Sequence, residues 1–292
     1  MTRLPRALLL GARAQLGHDL LRTWPADRVT ALGRAECDVT DEGAVRAALA
    51  ASRAALVINL AAHHRVDEIE GAPAEALRVN GHGAWVVARA AADVGAAVMW
   101  VSSNYIFAGD RRTPYREDDP TAPPNAYGVS KVAGERLIAL ANPRHYVVRS
   151  AGLYGVAGSS GKGGNFVQTM LRLAREGRAI RVVDDEVLGM TSTLDLARAM
   201  AAIAEAECFG TYHITNAGEL SWYDFAVAIF RLAGLRPYLR PTTSAEYGAP
   251  ARRPPYSVLA NERLAGLGVP TLRPVEEALA EYLAETGDLT GR

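Results

Sequence analysis

Lysine is almost missing from this chain of 292 residues: Lys131 and Lys162 are the only two among 32 basic side chains, and arginine supplies the rest. An ammonium in such a background marks a position where a compact, tunable point charge is used in place of a guanidinium. Cysteine is equally scarce. Cys37 and Cys208 stand far apart, which argues against a disulfide framework or a thiolate metal site and fits a reducing compartment. There is no excess charge of either sign, and the bases are dispersed, so neither a nucleic-acid footprint nor an anionic-membrane surface is indicated. Long apolar runs are absent as well. No stretch reaches the ~20 residues of a membrane span, and Ala7 to Leu10, behind Arg3 and Arg6, is too short for a secretory leader. The expectation is a cytoplasmic protein, monomer or homodimer, with neither nucleic acid nor membrane as partner.

What is present reads as α/β. A chain of this length buries a large core, as one large domain or as a nucleotide-binding domain with a smaller partner. Residues 6 to 10 form a short apolar run ending at Gly11, followed by Leu16, Leu20 and Leu21 at helical spacing: buried strand, tight turn, helix. The turn, Gly11-Ala12-Arg13-Ala14-Gln15-Leu16-Gly17, keeps the outer glycines of a G-x-x-G-x-x-G pattern and has alanine in the middle. Glycines there let a pyrophosphate approach the helix N-terminus, where unpaired N–H groups favour anions. A second strand, Val29 to Leu32, ends at Gly33-Arg34 and not at the acid that would bind the ribose 2′-hydroxyl of NAD. With Arg13 in the glycine loop, Arg34 favours NADPH over NADH, although NADH stays possible. Thr40 or Asp41 caps the next helix, and Ala55 to Leu60 is a third strand running into Ala61-Ala62, small residues that let a flat ring lie close. The adjacent His63 and His64 have no Cys, Asp or Glu at ligand spacing, so no metal is expected. Asn80, within a helix predicted over Pro73 to Val94, is either a buried strut or solvent-facing.

A fourth strand, Ala97 to Val101, has Ser102-Ser103-Asn104 at its carboxyl end, the edge where parallel sheets bind ligands. A polar loop over 104 to 126 then leads to Tyr127-Gly128-Val129-Ser130-Lys131. In a helix this four-residue spacing puts phenol and ammonium on one face, so that the cation acts on the phenol and lowers its pKa. With 11 tyrosines and two lysines, chance yields such a pair roughly 0.08 times. The helix is predicted to run to about Ala141, and His145 to Arg149 is a fifth strand. Five strand-helix units in residues 1 to 150 predict a Rossmann-like doubly wound parallel sheet, with residues 151 to 292 forming a smaller C-terminal α/β substrate lobe, some exchange of chain between the two allowed. In that second part Gly161-Lys162 does not make a phosphate loop, since Val156 and Gly163 stand where a glycine and a Ser or Thr are required. Helices are predicted over Asn165 to Glu176, Leu194 to Ala206 and Ser221 to Ala233, with short strands near Ile180 to Val183 and Tyr212 to Ile214. Arg252-Arg253-Pro254-Pro255 is a phosphate clamp or an exposed turn.

Taken together, these stretches resemble the dTDP-4-dehydrorhamnose reductase family of extended short-chain dehydrogenases/reductases nearly end to end. The resemblance is carried by Gln15-Leu16-Gly17, Asp38-Val39-Thr40-Asp41, Asn59-Leu60-Ala61-Ala62, Ser102 to Gly109, Pro124 to Glu135, Tyr154-Gly155, Asn165-Phe166 and Pro250 to Pro254. It implies a catalytic set of Ser103, Tyr127 and Lys131, with NADPH delivering hydride to a 4-keto sugar nucleotide. It implies cofactor contacts from Gly11, Arg13, Ala14, Gln15, Leu16, Gly17, Arg34, Asp38, Val39, Leu60, Ala61, Ala62, Asn80, Tyr127 and Lys131. Substrate contacts are implied for Ser103, Asn104, Tyr105, Gly152, Asn165, Arg252 and Arg253, the two arginines facing the nucleotide diphosphate. The chain departs from the family in its pocket: Asn104 replaces an Asp, His63-His64 a Tyr-Thr pair, Gly152 a Trp, and Leu188-Gly189-Met190-Thr191 a Gly-Ser-Pro-Thr turn. Two alternatives remain beside the reductase. One is a nucleotide-sugar epimerase or dehydratase of the same superfamily; the other is a non-catalytic NADP-binding regulatory subunit similar to the β subunit of methionine adenosyltransferase.

Overall fold

The computed structural model describes residues 4–158, 163–269 and 271–290, so Gly161-Lys162 lies outside the described residues. In chain order the first half runs β1 Ala7–Leu10, α1 Gln15–Thr23, β2 Val29–Leu32, α2 Glu42–Ser52, β3 Leu56–Asn59, α3 Val66–Gly71, α4 Pro73–Ala76, a π-helical stretch Leu77–Gly83, α5 Ala84–Asp93, β4 Ala97–Ser103, α6 Ala126–Ala141 and β5 His145–Ser150. The second half continues with β6 Leu153–Tyr154, α7 Phe166–Arg175, β7 Ile180–Val183, β8 Val187–Leu188, β9 Thr191–Ser192, α8 Thr193–Glu205, β10 Gly210–His213, β11 Leu220–Ser221, α9 Trp222–Leu232, β12 Leu239–Thr242, α10 Ser244–Tyr247, α11 Glu262–Gly266 and α12 Val275–Glu285.

A six-stranded parallel sheet in the order β10-β5-β4-β3-β1-β2 organises the molecule. Its central strands are apolar on both faces because helices cover both. Leu8, Leu10, Val57, Val98 and Trp100 face α2, α5 and Ile138 of α6, while Leu9, Ile58, Met99 and Val148 face α1 and α8. A further core joins Tyr154, Val167 and Leu171 to Phe225, Ile229, Leu279 and Leu283. The strand order reverses between β1 and β3, which opens a crevice at the carboxyl ends of the strands.

Local chemistry sets the helix starts. Asp41 caps α2 by accepting from the Ala44 N–H at 3.0 Å, Asn125 caps α6 by accepting from the Gly128 N–H at 2.7 Å, and Asn165 forms a capping box with Gln168 at α7.

Three expectations need correction. The strand near Tyr212 to Ile214 belongs to the main sheet and not to the smaller unit: β10 pairs with β5, and α8 before it packs on α1. The fourth strand continues through Ser103, because Ser102 and Ser103 pair with Arg149 and Ser150 of β5. The helix predicted over Pro73 to Val94 is divided by the π-helical stretch at Leu77–Gly83, the kind of irregularity that turns a side chain inward, here Asn80.

Candidate active site

A cavity of about 870 Å³ opens along the carboxyl ends of the strands. The turn after β1 lines it with Gly11, Arg13, Ala14, Gln15 and Leu16; the turn after β2 with Gly33, Arg34, Asp38 and Val39; the segment after β3 with Leu60, Ala61, Ala62, His63 and His64. The end of β4 adds Ser103, Asn104 and Tyr105, and α6 adds Tyr127 and Lys131. Beyond β5 the wall consists of Gly152, Leu153, Asn165, Phe166, Leu188 and Trp222.

The glycine-loop end is shaped for a dinucleotide. Gly11 has φ +76°, and a Cβ there would lie 2.9 Å from the Ala61 nitrogen, so only glycine holds the turn against β3. Ala14 at the N-cap of α1 offers no side-chain acceptor, which leaves first-turn N–H groups available to an anion. Gln15 Oε1, Ser102 Oγ and Ser150 Oγ are buried polar atoms without a partner. A bound polar ligand would supply what these atoms lack. Arg13 and Arg34, expected at the 2′-phosphate, are exposed and paired, Arg13 Nη2 with Glu36 Oε1 at 2.8 Å and Arg34 Nε with Asp38 Oδ2 at 3.7 Å. Glu36 lies beyond the strand-end position where a ribose-binding acid is expected, so the strand-end pattern does not reveal it.

Two expected cofactor residues stand outside the cavity wall. Gly17 lies in α1 against the Ala12 carbonyl. Asn80 is the buried strut of the two alternatives: it accepts from the His63 N–H at 2.8 Å and donates to the His63 carbonyl and Ser130 Oγ, both at 2.9 Å. Its effect on the cavity therefore passes through the backbone of His63.

Ser103, Tyr127 and Lys131 come together as expected. Ser103 Oγ accepts from the Tyr105 N–H and donates to Asn104 Oδ1, each at 3.2 Å, and Asn104 Nδ2 donates to Ser257 Oγ at 2.7 Å. Desolvation pushes the Tyr127 phenol up to about 12, and its hydrogen bond with Ser103 offsets this only in part. Desolvation pulls the Lys131 ammonium down to about 7, against the opposing charge of Glu135. The expectation that Lys131 lowers the phenol's pKa is thus overturned for the free protein. Lys131 Nζ lies 5.9 Å from the Tyr127 ring centre, and burial dominates both groups. A phenol held protonated at neutral pH is a proton donor, and beside a serine hydroxyl it can protonate and stabilise a developing alkoxide.

The arginine segment is placed differently from expectation. Arg253 forms a two-pronged pair with Asp67 at 2.9 and 3.1 Å, and Arg252 is exposed with its carbonyl accepting from Asn125 Nδ2; neither lines the cavity. Asp67 holds the guanidinium, and the pairing is invisible in the sequence because the two residues are far apart in the chain. Tyr105 packs edge-on to Tyr127 with ring centres 6.1 Å apart. At Gly152 (φ +53°) a Cβ would lie 2.6 Å from Met190 Sδ, so Met190 fills the space that a side chain at 152 would enter.

The fold and this constellation define an extended short-chain dehydrogenase/reductase. Comparison with known proteins narrows the class. The family model for the RmlD substrate binding domain matches residues 5–287, and the chain belongs to that family. It is 44% identical to a dTDP-4-dehydrorhamnose reductase of Streptomyces griseus, over 99% of this chain and 96% of that one. It is 41% identical to a probable dTDP-4,6-dihydroxy-2-methyloxan-3-one 4-ketoreductase of Streptomyces antibioticus, over 94% of each. Among solved structures, the dTDP-4-dehydrorhamnose reductase of Bacillus anthracis in complex with NADP superposes with a TM-score of 0.92 at 33% identity, covering 96% of this chain and 99% of that one. Among the described residues no helix is long and apolar enough to cross a membrane.

Proposed function

We propose that this protein reduces the 4-keto group of a dTDP-activated 6-deoxysugar, with NADPH as hydride source and NADH as a weaker substitute. The observation that carries the reading is the meeting of Ser103, Tyr127 and Lys131 in the same cavity as the Gly11 turn. The activities named for the Streptomyces relatives, and the NADP bound by the Bacillus anthracis reductase, support the substrate class and the cofactor.

On this reading Gly11, Ala14, Gln15 and Leu16 hold the pyrophosphate, Arg13 and Arg34 the 2′-phosphate, and Leu60 to Ala62 the nicotinamide side. Bound there, the reduced nicotinamide supplies a hydride to the carbonyl carbon. Tyr127 gives its phenolic proton to the carbonyl oxygen, and Ser103, held by the Tyr105 N–H, turns its one hydroxyl proton from Asn104 Oδ1 to that oxygen as charge develops on it. Lys131 supplies positive charge to the same end of the site. The main sheet unit, completed by α8 and β10, carries the dinucleotide, with Asn165, Phe166 and Trp222 on the sugar-nucleotide side of the cavity. The test is consumption of NADPH on addition of a dTDP-4-keto-6-deoxysugar. Turnover with no keto-sugar nucleotide, by a folded protein that binds NADPH, would overturn the reading.

A further inference from the structure

We propose that Trp100 is a positioning residue for Lys131: the buried face of its indole seats the ammonium and holds it as a cation beside Tyr127. Lys131 Nζ lies 3.9 Å from the Trp100 ring centre, against 5.9 Å from that of Tyr127. Trp100 is 1% exposed and Lys131 2%, so the indole and the lysine stem are covered by protein while the ammonium meets the cavity. Among the described residues no oxygen accepts a hydrogen bond from Nζ. On its protein side the ring's negative face is what the ammonium lies against.

The surroundings are built around this contact. Trp100 sits in β4, paired with Asn59 of β3 and Val147 of β5, which fixes its backbone on both sides. In α6 the residue above it is Gly134, where a Cβ would lie 2.6 Å from the indole Cη2 and 2.3 Å from the Asn80 carbonyl oxygen. Glycine is unfavourable inside a helix, and here its absent side chain is what lets the indole lie under the helix. The charged group that acts on Lys131 is Glu135, one turn after it on α6, and Tyr127 lies one turn before it; the π-helical stretch contributes the neutral Asn80. Arg149 engages both carboxylate oxygens of Glu135, at 2.9 and 2.7 Å. That carboxylate is therefore largely committed to the guanidinium, and the indole remains the ammonium's direct partner. Desolvation lowers the pKa of Lys131 and the charge of Glu135 opposes that shift only in part.

The consequence for turnover rests on the reductase reading, but the contact can be tested without it. With only two lysines in the chain, a Lys162→Arg protein labelled with [ε-13C]lysine has a single lysine resonance, that of Lys131, readable by NMR in the full chain without cofactor. Trp100→Phe keeps a ring face and Trp100→Leu removes it. The expected result is a titration midpoint lower by about one pH unit or more in Trp100→Leu, with Trp100→Phe much closer to the parent. The alkaline limb of the pH–kcat profile should move in step. A folded Trp100→Leu protein with an unchanged midpoint overturns the proposal. Should that variant not fold, the parent sequence grown with mono-, di- and trifluorotryptophan keeps the shape and weakens the ring face by degrees. A stepwise fall of the midpoint supports the contact, and no trend overturns it. If the midpoint shifts while no keto-sugar nucleotide is reduced, Trp100 keeps its role and the reductase reading falls.

Discussion

Asn104 Nδ2 donates to Ser257 Oγ at 2.7 Å while Asn104 Oδ1 accepts from Ser103 Oγ at 3.2 Å, so one buried amide joins the end of β4 to the segment following Arg252 and Arg253. Asn104→Ala leaves both hydroxyls without this partner in a buried setting, at a cost of about 1–3 kcal/mol. The expected outcome is a fall in kcat/KM of about tenfold or more, mostly in kcat, because Ser103 loses its alignment. Steady-state kinetics with the sugar nucleotide checks this, and parental kinetics from a folded variant would show that Ser103 does not depend on Asn104.

The buried ammonium makes stability depend on pH at Lys131. Its folded-state pKa of about 7 lies below the ordinary lysine value, so the unfolded chain binds the extra proton between about 7 and about 10.4. The penalty is complete below pH 7 and is lifted as pH rises through that window. Lys131→Met should therefore raise the melting temperature by about 5 °C or more at pH 6, with the gain shrinking toward pH 10, while kcat collapses. Melting curves across pH measure it. A gain independent of pH would mean that Lys131 is not desolvated.

His213 acts with the same sign in a lower pH window. Its Nδ1 lies 3.0 Å from the Tyr115 carbonyl oxygen and 3.1 Å from that of Ala260, which makes Nδ1 the protonated nitrogen and Nε2 the acceptor from Arg149 Nη1. Burial first, and Arg149 second, hold it down to about 3. The neutral ring therefore contributes stability that is present above about pH 6.5 and is lost as pH falls toward 3. His213→Gln takes up no proton on unfolding, so its melting temperature should fall less steeply between pH 6.5 and 4 than the parent's. Parallel curves would contradict the buried neutral imidazole.

At the cofactor end, Glu36 competes for Arg13. Glu36→Gln frees the guanidinium and removes a negative charge near the expected 2′-phosphate. NADPH should then bind several-fold more tightly relative to NADH, which fluorescence titration of each cofactor measures. An unchanged ratio would place the 2′-phosphate elsewhere.

The parts of the molecule legible in the sequence were those encoded locally. β1, its Gly11 turn and the Tyr127 to Lys131 spacing are contiguous patterns, and the structure brings them to one cavity. Pairings between distant segments were not legible. Nothing at Tyr212 reveals that β10 joins β5, since a short apolar run fits either sheet. Nothing at Arg253 reveals that Asp67 engages it, and Asn80's inward turn depends on a π-helical register that periodicity does not resolve. The electrostatics of the Tyr127–Lys131 pair is hidden from the sequence for the same reason. Spacing gives proximity, whereas the pKa of each group follows from burial by β4, β5 and the neighbouring loops, which only the folded chain supplies.

The most direct test of keto-sugar reduction is the fate of the transferred hydrogen. Given a dTDP-4-keto-6-deoxysugar and reduced nicotinamide cofactor deuterated at its transferable position, the parent protein should yield a product with one deuterium at the sugar C4, read by NMR. Tyr127→Phe should bind the cofactor normally yet form that product about 10²–10⁴-fold more slowly. A product without deuterium at C4, or undiminished transfer by Tyr127→Phe, would contradict hydride reduction with Tyr127 as the proton donor.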